Sequence, residues 1–476
     1  MQFNSLAFLI FLPVVFLLYW QVSSSRRWQN GLVVVASYVF YGWWDWRFLG
    51  LIAFTSLLSY GGGILTEHFN GRRRHQRTVC TVCIVVNLLI LAVFKYFNFF
   101  ADSLCTLLGL FGCQADWVTL NVVLPVGISF YTFQALSYTI DVYRGQMEAS
   151  RDVIEFLAYI SFFPQLVAGP IERASHLLPQ FRQERHFCYA DAADGCRQML
   201  WGFFKKMVIA DNCATIVNVV WADYDSQPSM MLMVSAVFFA FQIYCDFSGY
   251  SDIAIGCARL FGIRLMRNFN YPYFSHGIAD FWRRWHISLM TWLRDYVYIP
   301  LGGNRKGSSI TLRNIFTVWG ISGLWHGANW TFVCWGLYHA MLLSAYRWIR
   351  IQSVGRILSV CITFLFVVIG WIIFRAPTLH DAFCYLSRML SPSELNASQL
   401  LPRLMSMQSA VATAAIGITV MTLCEWRGRH YRHALQFWAN SFLRRHASLR
   451  YAFYIVMAMS PMAFAGSQSE FIYFQF

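Results

Sequence analysis

The chain has 476 residues, of which 57% are hydrophobic and only 13% charged, against roughly 25% charged in an ordinary globular protein. That composition excludes a soluble multidomain protein. The formal net charge of +14 fits basic loops and lipid headgroups rather than a nucleic-acid partner.

Thirteen cysteines, an odd number without framework spacing, exclude a disulfide scaffold. Cys80 and Cys83 form a CxxC, but the surrounding run TVCTVCIVVNLLILAVF offers no further ligands, so no metal is expected. Apolar runs near bilayer length recur along the chain. They predict an all-α, polytopic membrane protein of roughly 10–12 transmembrane helices, with re-entrant and interfacial helices, in one integral domain over 1–476.

Residues 5–22 form the first span. They lack a basic n-region and a small-residue cleavage site, so this segment is expected to remain in the membrane. Arg26 and Arg27 follow and belong in the cytoplasm, which places the N-terminus outside. The region 31–66 is interrupted by WWDWR and then meets Arg72, Arg73 and Arg74. Both basic clusters lie inside only if this region crosses twice, with the tryptophans at the outer interface. Residues 78–98 are expected to cross outward, 102–117 to lie in the interface, and 119–140 to return. Pro125 and Gly127 break the returning helix near its start. The stretch 156–173, broken at Pro164, Gly169 and Pro170, reads as re-entrant, because such breaks at membrane depth survive only inside protein or beside a cavity.

Residues 174–196 are polar and cytoplasmic by the same pattern. Apolar segments follow at 197–221 and 229–262. Asp246 and Asp252 sit in the second, where buried carboxylates fix helix ends, pair with arginine, or serve a site. Beyond the central stretch come spans at 356–374, 408–424 and 450–465, with a polar loop at 389–403.

The central stretch opens with FWRRWHISLMTWLRDYVYIPLGGNRKG and closes with ISGLWHGANWTFVCWGLYH, covering 281–339. Phe281, Trp282, Trp285, Leu289, Trp292, Leu293 and Tyr296 form one stripe, with Arg283, Arg284 and Arg294 opposite. The spacing predicts an amphipathic interfacial helix over 281–296. A turn with Pro300, Gly302, Gly303 and Gly307 follows, beside Arg305, Lys306 and Arg313. Two roles stay open: headgroup anchoring, or a cytoplasmic mouth that recognises the phosphates of a coenzyme A donor. In the second, Trp282, Arg283, Arg284, Trp285 and His286 are the candidate binding residues.

Residues 311–346 are long enough to cross once as a continuous helix. Gly320, Gly323 and Gly327 form a small-residue seam for a neighbouring helix. On such a helix Ser322, His326 and Trp330 share a face, with Trp325 and Asn329 beside it, as the lining of a cavity. An intramembrane histidine is functional by default. His326 is therefore a candidate general base that takes a hydroxyl proton as the oxygen attacks a thioester; a structural histidine between helices is the alternative. His339 falls about 20 Å further along a straight helix and points away, so an accessory and a structural role are both open. No serine, cysteine or lysine stands out as a covalent nucleophile, which favours direct transfer.

WHGANWTFVCWGLYH, FWRRWHISLMTWLRDYVYIPLGGNR and QIYCDFSGYSDIAIG resemble the membrane-bound O-acyltransferases, in the bacterial branch that holds the membrane subunits of alginate and peptidoglycan O-acetylation. The similarity extends to LPVGISFYTFQALSYTIDVYRG, FFPQLVAGPIER and GWIIFRAP. It covers most of residues 1–380 and is densest over 120–380; 381–476 match nothing diagnostic. The resemblance implies a multi-pass protein of the bacterial inner membrane with a central tunnel. It implies acetyl-CoA as a donor substrate, not a resident cofactor, and an envelope polysaccharide as acceptor. The family's invariant histidine matches His326, and a second matches His339. No serine–histidine–aspartate esterase domain is present, so a separate periplasmic SGNH-type acyltransferase is the expected partner. A transporter with His326 as a proton relay is the competing class; it would favour two similar halves, and none is visible.

Overall fold

The computed structural model describes residues 1–112, 124–167, 169–348, 355–391, 397–436, 446–467 and 469–472. The described residues are helical and contain no strand. Five helices among them are long and apolar enough to cross a membrane: Trp46–His68, Arg73–Leu110, Ser229–Leu260, Arg356–Arg375 and Gln408–Gly428. Leu6–Gln21 is a shorter apolar helix. The all-α polytopic class is thus the observed one.

One compact unit comprises Met1–Ala192 with Cys257–Met266. Its helices α1 (Leu6–Gln21) and α2 (Arg26–Gly42) are each opened by a serine whose side chain accepts a backbone N–H, Ser5 from Phe8 and Ser25 from Trp28. α3 (Leu49–His68) follows a short turn capped by Asp45. α4 (Arg73–Leu91) passes through a π-helical turn at 92–96 into α5 (Phe97–Leu110), giving one 38-residue helix. The interfacial segment expected at 102–117 is therefore, as far as Leu110, the end of this helix. No glycine or proline interrupts the chain between Arg73 and Leu108. α6 (Ile128–Tyr143) starts after the expected break at Pro125 and Gly127, while 113–123 lie outside the described residues. The re-entrant stretch is indeed broken: α7 (Val153–Ser161) and α8 (Phe163–Leu166) meet at Phe162, and α9 (Ala174–Arg182) follows.

Both basic clusters gather at one end of this unit. Arg26 donates to the Arg182 carbonyl at 2.7 Å, Arg182 pairs with Glu155 at 2.9 Å, and Arg151 pairs with Glu67, close to the end of α3. At the opposite end the Met1 ammonium donates to the Phe40 carbonyl at 2.9 Å, next to WWDWR. The region 31–66 runs from one end to the other and back, as the charge pattern predicts.

The second unit comprises Ala193–Gly256 and Arg267–Phe476. α10 (Tyr189–Phe203) leads through a π-helical segment, Phe204–Ala210, into α11 (Asp211–Ala222), and α12 (Ser229–Leu260) follows. α10 and α12 touch backbone to backbone: a Cβ on Gly202 would lie 2.5 Å from the Gly249 carbonyl oxygen. The π-helical segment widens the helix beyond this contact and turns both Lys205 and Lys206 onto α12.

The predicted helix over 281–296 is interrupted. α13 (Ile278–Arg284) and α14 (Ile287–Leu293) meet at His286, which is left-handed at φ 43°. The stripe expected to lie in the membrane interface is instead buried in the protein, apart from the half-buried Tyr296. α15 (Ser308–His326), α16 (Trp330–Trp348), α17 (Arg356–Arg375), α18 (Leu379–Met389), α19 (Ala397–Ser406), α20 (Gln408–Gly428) and α21 (Ala447–Phe464) complete the unit. After α21 the tail returns to the core. Lys206 donates to the Ser469 carbonyl at 2.9 Å, the Ile472 N–H donates to Asp246 at 2.7 Å, and Phe471 packs on Tyr250.

Candidate active site

Residues 311–346 do not run as one helix. α15 ends at His326, Gly327 is extended, and α16 opens at Trp330. The cause is local. Asparagine is a strong N-cap residue, and Asn329 Oδ1 accepts the Thr331 N–H at 3.0 Å while its Nδ2 donates to the Pro377 carbonyl at 2.8 Å. The two helices fold back as an antiparallel hairpin seated on glycine. A Cβ on Gly323 would lie 2.3 Å from the Phe332 carbonyl oxygen, and one on Gly336 2.2 Å from that of Trp319. The expected seam holds at Gly323 and Gly327, but Gly320 faces open space and Gly336 replaces it.

The hairpin changes which residues meet. Trp330 no longer shares a face with His326; it is the first residue of the other helix and is 52% exposed. Asn329 is committed as a cap. Ser322 stays one turn before His326, buried, and its Oγ has no hydrogen-bond partner among the described residues. The two histidines are brought much closer than a straight helix allows. Trp335 stands between them, its ring 5.0 Å from His326 and 5.0 Å from His339.

His326 is buried in an aromatic cage of Trp325 at 5.0 Å, Trp335 and Phe374 at 5.4 Å. On its other side lies His286, with the ring centroids 6.5 Å apart, and Trp325 borders both imidazoles. His286 was expected among donor-binding residues at the membrane surface; instead it is buried beside His326. Its left-handed backbone, shared among the described non-glycine residues only by Tyr271, is strained and is held by its surroundings. Periodicity could not show this, because the helical pattern runs unbroken through the turn.

His339 is wholly buried between Trp282, Trp319 and Trp335. The Trp282 indole N–H donates to its Nδ1 at 3.3 Å. An indole can only donate, so Nδ1 accepts and the proton sits on Nε2. That nitrogen faces Gly370, where a Cβ would come within 2.8 Å of it. Trp282 and Trp285 are likewise interior. Trp282 packs on Trp319, and Trp285 on Trp371 at 4.8 Å. Their place is the wall around the histidines, not an open mouth.

The two arginines of this segment differ. Arg284 is half-buried and ion-paired with Asp280 at 3.0 Å, whereas Arg283 is exposed. Arg305, Lys306 and Arg313 are also exposed, at the open end of the hairpin. There Ser308, Ser309, Leu312, Ile315, Ser344 and Arg347 line a surface cavity of about 400 Å³. Ser308 and His326 are the two ends of α15, roughly 27 Å apart at 1.5 Å per residue, so this cavity lies a full helix length from His326.

The sequence also left a buried ionic cluster unrecognised. Lys205 pairs with Asp252 at 2.6 Å and donates to Ser248. Lys206 lies 2.8 Å from both Asp211 and Asp246. Glu425 accepts the Tyr244 hydroxyl at 2.8 Å. Asp246 and Asp252 are thus paired, as a structural role requires, but with lysine rather than arginine. The signal was present as two adjacent lysines inside the apolar run FFKKMV, which is costly in a membrane unless each is compensated. Among the described residues no three His, Cys, Asp or Glu side chains converge as a metal site would need.

The model of the MBOAT, membrane-bound O-acyltransferase family matches residues 78–376. The chain is 44% identical over 409 residues to the probable alginate O-acetylase AlgI of Pseudomonas aeruginosa, covering 84% of this chain and 78% of that protein. It is 31% identical over 524 aligned positions to the peptidoglycan O-acetyltransferase of Helicobacter pylori, covering 100% and 97%. A more distant similarity, 28% over 283 residues, links it to the teichoic acid D-alanyltransferase of Bacillus subtilis, covering 55% and 71%.

Proposed function

The chain belongs to the membrane-bound O-acyltransferase family, and from that premise we propose that it moves acetyl from cytoplasmic acetyl-CoA, through the inner membrane, to an envelope polysaccharide or to a periplasmic transfer partner. An O-acyltransferase needs a base where the acceptor hydroxyl meets the thioester. The observation that carries the assignment is the burial of His326 at the end of a helix, in an aromatic cage that admits a second imidazole, His286. In this reading the hydroxyl oxygen attacks the acetyl carbonyl as His326 takes its proton. The C–S bond then breaks, and the proton returns to the coenzyme thiolate, so none is consumed. Trp325, Trp335 and Phe374 exclude water, which would otherwise hydrolyse the thioester. Ser322 Oγ is available to orient the acceptor or the carbonyl oxygen. His339, across Trp335, serves as an accessory that holds the cage.

The exposed Arg283, Arg305, Lys306 and Arg313, together with the cavity at the first turn of α15, suit the phosphates of the donor. The partner on the outer side would be an SGNH-type acyltransferase, as the resemblance to the bacterial alginate and peptidoglycan branch implies. The test uses the full chain in proteoliposomes, given radiolabelled acetyl-CoA with alginate or peptidoglycan fragments and, separately, with a purified SGNH-type protein. Label should appear on the glycan or on the partner, with release of free coenzyme thiol. Thioester consumption no faster than in empty liposomes would overturn the proposal.

A further inference from the structure

Asn268 is fully buried and lies beside His286. Its Oδ1 accepts the Ser288 backbone N–H at 3.4 Å and the Ser288 hydroxyl at 2.9 Å, while Nδ2 donates to Ser251 Oγ at 3.1 Å. A backbone N–H can only donate, so the amide oxygen must be the end that faces residues 286–288. His286 Nδ1 lies 3.1 Å from that same oxygen. It is therefore the protonated nitrogen of the ring, and in the neutral imidazole Nε2 is the basic one. The backbone repeats the clamp: the Ile287 N–H donates to the Asn268 carbonyl at 2.8 Å. Phe247 closes another side, edge-on to the imidazole at 4.7 Å.

Left-handed backbone at a non-glycine residue is strained and persists only where the surroundings over-determine it. At 286 that hold comes from Asn268, whose backbone carbonyl and side-chain oxygen both fix the turn and which also sets the imidazole tautomer. We propose that Asn268 is a positioning residue of the acyl transfer: it holds His286 as the Nδ1–H tautomer, so that a basic Nε2 is presented within the site shared with His326. Asn268 neither gains nor loses a proton; the hydroxyl proton still ends on the coenzyme thiolate. The proposal rests on the reading of His326 as the base.

The test is a double-mutant cycle in reconstituted full-length protein, reading turnover and acetyl-CoA affinity separately. Asn268→Leu keeps volume but removes the acceptor, and should lower kcat by ~10²-fold, the cost of a misplaced catalytic group, with donor affinity unchanged. His286→Gln should also lower kcat, and the combined variant should be no slower than His286→Gln alone. Asn268→Asp keeps an oxygen on Nδ1 and should restore most of the rate. Its carboxylate also stabilises the imidazolium, so the acidic limb of the rate profile should move to higher pH. The other ionisable groups nearby are unchanged in that variant: Lys205, Tyr244, Asp252, Arg267, Tyr271, Glu425, Arg432 and His433 around the small cavity that Asn268 lines, and His326 beside His286. Should Asn268→Leu fail to insert, Asn268→Ala takes its place. Multiplicative losses in the combined variant, or an Asn268→Asp protein as slow as Asn268→Leu, would overturn the proposal. His326→Ala, assayed in parallel, separates the two ideas: full turnover there removes the base itself, while a dead His326→Ala protein with multiplicative Asn268 and His286 losses removes only the positioning role.

Discussion

His286 and His326 place their ring centroids 6.5 Å apart, one at the turn between two short helices and the other at the end of a longer one. His339 stands apart from this pair, across Trp335, with Nδ1 occupied by the Trp282 indole. In the proposed mechanism His286 and His326 belong to the reacting site and His339 supports it. His339→Ala opens a cavity and leaves the Trp282 N–H without its acceptor, which together cost about 2–4 kcal/mol. Thermal unfolding of the purified protein should shift down accordingly. Activity per folded molecule should fall much less than for His326→Ala, and equal losses would place His339 among the reacting groups.

Donor recognition should distinguish the two adjacent arginines. Arg284 is already neutralised by Asp280, while Arg283 is exposed. Arg283→Gln should weaken acetyl-CoA binding about fivefold, equivalent to roughly 1 kcal/mol, and should leave stability unchanged, since exposed charges contribute little to it. Arg284→Gln should affect stability more than affinity. Titration calorimetry in nanodiscs reads both, and an unaltered affinity in Arg283→Gln would leave that residue a headgroup anchor.

The Lys206 cluster makes a prediction about folding. Lys206→Met leaves Asp211 and Asp246 buried without their cation, at a cost of about 3–5 kcal/mol. It also removes the Lys206 hydrogen bond to the Ser469 carbonyl, one of the contacts that hold the tail. The variant should be lost from the membrane fraction, and replacing Asp246 with leucine as well should recover part of the yield. Normal yield of the single variant would show that the buried pair carries little of the fold.

Sidedness follows from the basic clusters. In a background cleared of accessible native cysteines, Arg73→Cys and Arg283→Cys should resist an impermeant external thiol reagent, whereas Asp45→Cys should react. Efficient external labelling at position 73 would invert the topology.

Much of the fold was legible in the sequence because two of its signals are local. Lys and Arg cluster where the chain leaves the membrane, and Arg26 and Arg72 to Arg74 indeed gather at one end of their unit. Proline and glycine likewise marked the breaks before α6 and within 156–173. Two things were not legible. His286 interrupts a stripe whose periodicity continues through the break, so the turn left no trace in the pattern. The hairpin at Gly327–Asn329 was hidden for a related reason: the run is apolar on both sides, and length alone read it as one span. Reading Asn329 as a cap instead of a lining residue would have revealed it, and with it the proximity of His326 and His339. The partners of Asp246 and Asp252 required the close approach of Gly202 and Gly249, a contact no spacing along the chain encodes.

The most direct test of the account is the acetyl-transfer rate of His326→Ala in protein that is stably inserted and still binds acetyl-CoA. Loss of a general base lowers the rate about 10²- to 10⁴-fold. His326→Gln should fall as far, because glutamine keeps a hydrogen bond but cannot take the proton. Transfer at a near-normal rate by either variant would contradict the account, and would leave His326 a packed histidine between helices.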